Sequence, residues 1–204
     1  MPPALRILAL GDSYTIGEAV LAHQRWPVQL VAYLRGCGWP LADPEIIART
    51  GWTTDELAGG LDLARPAGRY ALVTLLIGVN NQYHGQSLDE YRAQFADLLA
   101  RSIGLAGGEA GRVLVLSIPD WGVTPYAHAT GCPAISAEID SYNAANFIAA
   151  QQAGARYVDI TPISRSAAHD LSFLAEDGLH PSVGMYAAWV TAMLPEVTAL
   201  LSTP

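Results

Sequence analysis

Four short stretches carry side chains that could together break an ester bond. Ser13 stands in "GDSYTIGE", Gly51 in "TGWTTDE", Asn80 in "GVNNQYHG", and Asp177 and His180 in "AEDGLHPS". A serine hydroxyl becomes a nucleophile when a histidine takes its proton, and that histidine needs a carboxylate to fix its tautomer and balance its positive charge. Ser13, His180 and Asp177 supply these types in the chain order Ser, Asp, His. The tetrahedral intermediate of acyl transfer carries an oxyanion, and one donor aimed at it is worth about 3 kcal/mol. The backbone N–H groups of Ser13 and Gly51 and the side-chain amide of Asn80 suit that task. Glycine lets a carbonyl come close, and Asn80 is a neutral donor that does not compete for the histidine's proton.

Each of these residues also has a plain structural explanation. Ser13 could cap a helix start, Gly51 could end a strand at positive φ, and Asn80 and Asn81 could be turn residues. Asp177-Gly178 reads as a turn, with His180 before Pro181 exposed in a loop. Those explanations are independent of one another, whereas a single acyl-transfer site requires all five residues. Rival motifs fare worse. There is no G-x-S-x-G and no G-x-x-x-x-G-K-[ST]; the glycine-rich "GLAGGEAG" (104–111) follows a helix instead of opening one. His23, His84, His128 and His169 form no H-E-x-x-H, so no metal is expected. His169-Asp170 is the one other acid–base pair, and adjacent residues of a regular element point in different directions. Asp12, although beside Ser13, reads as a turn holder that accepts nearby backbone N–H groups, not as the acid.

These residues need a frame, and the hydrophobic pattern supplies one. Apolar runs at 5–10, 45–49, 70–77, 112–118 and 156–160 are short and continuous, as in parallel strands buried on both faces. Segments 23–35, 53–64, 87–105, 136–153 and 183–201 have helical character; Leu88, Tyr91, Phe95, Leu98 and Leu99 recur at the spacing of one helix face. Five strand–helix units predict an α/β fold with an open five-stranded parallel sheet, helices on both sides, in one domain over 1–204. Ligands of such sheets bind outside the carboxyl ends of the strands, and the chemistry-bearing stretches follow strands 1, 2 and 3 or precede the last helix.

A chain of 204 residues with 51% hydrophobic residues suffices for one sizeable core. Its formal charge of −8 argues against nucleic acid or an anionic membrane as partner and leaves a small neutral substrate. Cys37 and Cys132 have no metal-ligand spacing, and each reads as a free buried thiol. No signal peptide and no run of membrane-spanning length is visible, so a cytoplasmic location is expected.

With the four ordered blocks in hand, the chain resembles the SGNH hydrolase, or GDSL esterase/lipase, family. The resemblance implies a flavodoxin-like three-layer α/β/α sandwich, hydrolysis of esters or thioesters through an acyl-enzyme on Ser13, and no metal or organic cofactor. Two positions depart from the family pattern: Tyr14 stands where leucine is usual after Gly-Asp-Ser, and Asn81 where aspartate usually follows the asparagine. Substrate contacts are expected from Tyr14, Trp52, Asn81, Tyr83, Trp121 and Tyr126, with His128 beside them; Trp121 and Tyr126 could equally anchor a long loop. The expected substrate is a small carboxylic ester with a short to medium acyl chain, O-acetyl and thioester groups included. An acyltransferase with the same acyl-enzyme, and a binding module for carbohydrate or lipid on this fold, are the alternatives.

Overall fold

The computed structural model describes residues 4–131 and 134–202. Cys132 lies outside them, and Cys37 is exposed instead of buried. Among the described residues, five strands form one parallel sheet: β1 (Ile7–Gly11), β2 (Glu45–Ala48), β3 (Leu72–Leu76), β4 (Val113–Leu116) and β5 (Arg156–Val158), in the order β2-β1-β3-β4-β5. β1, β3 and β4 are buried along their whole length, which is why they read as unbroken apolar runs. The edge strands β2 and β5 are only part-buried.

Among the described residues, nine α-helices connect and cover the strands. In chain order they are α1 (Ser13–Ile16), α2 (Trp26–Gly36), α3 (Thr54–Ala64), α4 (Val79–Tyr83), α5 (Leu88–Leu105), α6 (Pro125–Thr130), α7 (Ile135–Ala153), α8 (Thr161–Arg165) and α9 (Val183–Leu201). α2 packs on α9, whereas α5 packs on both α3 and α7, so the sheet has a helical layer on each face. The five long helices match the periodic segments of the sequence. The short ones, α1, α4, α6 and α8, carry too few turns to leave a period. α9 is long and apolar enough to cross a membrane by composition alone, contrary to the sequence expectation. Its Met185, Tyr186, Trp189, Val190, Met193 and Val197 are instead buried in the core.

The strand order has a functional consequence. From β1 the chain runs to β2 on one side, then crosses to β3 on the other, pairing β1 with both. The helices leading away from β1 and β3 therefore diverge and leave a crevice at the carboxyl end of β1. Ser13 begins two residues beyond that end.

Candidate active site

β1 stops at Gly11, where an added Cβ would overlap the Leu76 carbonyl oxygen and the Thr15 side chain. Only glycine fits this close approach of β1 to β3 and α1. Asp12 then caps α1: its Oδ1 accepts the Tyr14 N–H at 3.0 Å. Ser13 is the first residue of α1 and is 5% exposed, opening into a pocket of about 210 Å³. Asp12 itself is fully buried, its Oδ2 has no hydrogen-bond partner, and burial pushes its carboxyl up to about 7.

His180 reaches the same pocket from the loop before α9. Its Nδ1 lies 2.6 Å from Asp177 Oδ2, while the His180 and Leu179 backbone N–H groups donate to Asp177 Oδ1 at 2.9 and 3.0 Å. Burial alone would raise the Asp177 carboxyl, but these hydrogen bonds from His180 and Leu179 outweigh it and hold the group below its ordinary value. The loop is closed by Ala175 N–H donating to the His180 carbonyl and by an antiparallel bridge between Leu174 and Pro181. The three-residue spacing is thus what lets one carboxylate hold both the backbone and the imidazole. Among the described residues no hydrogen bond joins Ser13 to His180; such contacts often tighten only with substrate bound.

Three donors line the pocket near Ser13. Gly51, at φ 87° with open space where a Cβ would stand, and Ser13 have backbone N–H groups without partners among the described residues. Asn80 Nδ2 donates one hydrogen to the Trp52 carbonyl at 2.9 Å, which fixes the amide and leaves its second hydrogen available. Val79, Tyr83, Trp121, Tyr126 and Leu179 form the apolar walls. Tyr14 lines it too, its ring edge-on to His180 at 5.9 Å, and burial keeps its hydroxyl well above its usual titration range.

Several expected contacts are corrected. Asn81 is fully buried and faces away from the pocket: it accepts the Thr54 N–H at 3.2 Å and donates to Thr54 Oγ1 at 2.6 Å and Gln86 Oε1 at 2.7 Å. A neutral amide both donates and accepts, so Asn81 ties the β2 and β3 loops where a carboxylate could only accept. The Trp52 ring lies against Gly60 of α3, and His128 sits on α6, so neither lines the pocket. Trp121 does both things weighed for it: its Nε1 anchors to Gln82 Oε1 at 2.8 Å while its ring walls the site. Asp170 caps a turn through the Ser172 N–H and makes no pair with His169. Thr50, Val79 and Leu179 were missed as lining residues; each adjoins a residue already singled out.

Comparison with known proteins shows the family. The model of the GDSL-like Lipase/Acylhydrolase family matches residues 9–188. The chain belongs to this family. It is accordingly a carboxylic ester hydrolase with the family's α/β fold. No curated protein matches it. Solved structures resemble it over nearly the whole chain at low identity. TesA superposes with a TM-score of 0.76 at 17% identity, covering 96% of this chain and 99% of that one. Axe2, an acetylxylan esterase from Geobacillus stearothermophilus, gives 0.72 at 19%, covering 97% and 96%. The psychrotrophic esterase EstA from Pseudoalteromonas sp. gives 0.70 at 14%, covering 97% and 99%.

Proposed function

We propose that this member of the family hydrolyses small esters with short to medium acyl chains through an acyl-enzyme on Ser13. His180 takes the Ser13 proton as the hydroxyl attacks the ester carbon, and returns it to the departing alcohol. Asp177 holds the imidazole in the tautomer with hydrogen on Nδ1 and stabilises the imidazolium. The Ser13 and Gly51 N–H groups and the Asn80 amide receive the oxyanion. Water, activated in turn by His180, releases the acid.

The observation that carries this reading is the Asp177–His180 contact at 2.6 Å, in a pocket that also holds Ser13 and donors left without partners. A volume of about 210 Å³ favours short acyl groups. The fold shared with an acetylxylan esterase adds acetylated sugars to the substrates to be tried. A panel of p-nitrophenyl esters from acetate to octanoate, acetylated sugars and acyl-CoA tests it, with Ser13→Ala alongside. Turnover of the short esters by the wild type, and its loss in a folded Ser13→Ala protein, is expected. An unchanged rate in Ser13→Ala would refute the assignment, and failure to hydrolyse any of the p-nitrophenyl esters from acetate to octanoate would refute the chain-length argument.

A further inference from the structure

Beside the apolar pocket, and sharing Thr50 with it, runs an open groove of about 550 Å³ lined by Ile16–Val20, Arg25 and Ala48–Thr50. Its chemistry differs from that of the pocket. The chain has eleven arginines and no lysine. Eight of the arginines are engaged in ion pairs with carboxylates, and Arg65 donates to the Asp62 carbonyl. Arg25 and Arg49 alone, among the described residues, have guanidinium groups with neither ion pair nor hydrogen bond, and both line this groove. Arg25 Nε is buried without a partner. The Arg25 stem packs so closely on Gly17 that an added Cβ there would overlap it. Arg49 stands two residues before Gly51 in the chain.

In a chain of net charge −8, with carboxylates in excess, two unpaired guanidinium groups in one groove are an unspent binding capacity. Glu18 also lines the groove, but its carboxylate accepts the Thr50 hydroxyl. Two cations against one carboxylate leave the groove net positive. The two substituents of an ester carbon diverge from the oxyanion site, so two adjoining recesses of unlike chemistry sort them. The apolar recess takes the acyl chain. We propose that the groove binds the alcohol or thiol side of the substrate and selects leaving groups that carry a carboxylate or phosphate, through Arg25 and Arg49. The proposal deepens the hydrolase reading and rests on Ser13 as nucleophile.

The test pairs an anionic leaving group with a neutral one of the same shape: 4-acetoxybenzoate against 4-acetoxybenzamide. In parallel, calorimetry on Ser13→Ala protein measures binding of the products 4-hydroxybenzoate and 4-hydroxybenzamide, where turnover does not interfere. A preference for the anion of about tenfold is expected in kcat/KM and in affinity, the factor a single charge-assisted hydrogen bond supplies. Arg49→Gln and Arg25→Gln should each bring the ratio towards one, Arg49→Glu should reverse it, and Glu18→Gln should raise it. Arg49 is exposed, so its variants serve even if Arg25→Gln unfolds the chain. Equal treatment of the two leaving groups by the wild type, or a ratio unmoved by the Arg49 variants, would overturn the proposal. If neither ester is turned over but the binding preference stands and falls with Arg49, the hydrolase reading fails and the anion subsite holds. If both are hydrolysed equally and both products bind equally, the hydrolase reading holds and the subsite fails.

Discussion

Asp12 keeps its carboxyl group out of water, with one oxygen on the Tyr14 N–H and the other without a partner. Burial raises it from 3.8 to about 7, against the pull of its backbone hydrogen bonds. The folded chain therefore holds a proton that the unfolded chain has released between those two values. Stability falls as pH rises through that window, by about 1.4 kcal/mol per unit while the difference in bound protons is near one. From pH 4.5, where the unfolded carboxyl is already mostly ionised, to pH 8.5 the loss amounts to about 3 kcal/mol. Asp12→Asn keeps the oxygen that caps α1 and removes the titration. Urea unfolding of both proteins at a series of pH values isolates the effect, because Asp177, Asp170 and Glu109, all lowered in the folded state, contribute the opposite trend equally to each. The stability difference, variant minus wild type, should grow by about 3 kcal/mol across the range, or roughly 6–12 °C in Tm for a chain of this size. Parallel curves would refute the reasoning and mean that water or a proton donor reaches Oδ2.

Further outcomes follow from the site. Asn80→Ala should lower kcat by about 10²–10³, the cost of one oxyanion donor, with KM on p-nitrophenyl acetate changed far less; equal losses in both would place Asn80 in ground-state binding instead. Asp177→Asn should lower kcat by about 10⁴ by presenting the wrong tautomer. Arg165 holds the fully buried Asp120 at 2.8 Å and Asp140 at 2.7 Å. Arg165→Met, by leaving Asp120 buried and unpaired, should cost roughly 3 kcal/mol in denaturant unfolding, and a loss under about 1 kcal/mol would show that solvent reaches Asp120.

The parts of this molecule that a sequence can declare are those with a local cause. Strands β1, β3 and β4 are buried on both faces and so had to be continuous apolar runs. α5 buries one stripe, Tyr91, Phe95, Leu98 and Leu99, and so had to repeat at helical spacing. The pairing of Asp177 with His180 was legible for the same reason, since three residues of one loop suffice to bring carboxylate and imidazole together. α1 and α4 were not legible, because four or five residues carry no period and their ends are set by Asp12 and Gly78.

Asn81 and Trp52 mark the limit of that reading. Both follow strands on the right rim, and both turn away from the pocket, Asn81 to join Thr54 and Gln86, and Trp52 to lie on α3. Position along a strand end decides which rim a residue occupies; the direction of its side chain depends on what the neighbouring loop offers it. The residue types of the candidate site, their order and the sheet that carries them were legible in the sequence alone, because acyl transfer calls for particular side chains and buried strands for continuous apolar runs. Which side chains face the substrate, and that Arg25 and Arg49 stand together without a carboxylate to answer them, were decided by tertiary structure, because pairing and exposure are properties of neighbours that lie far apart in the chain.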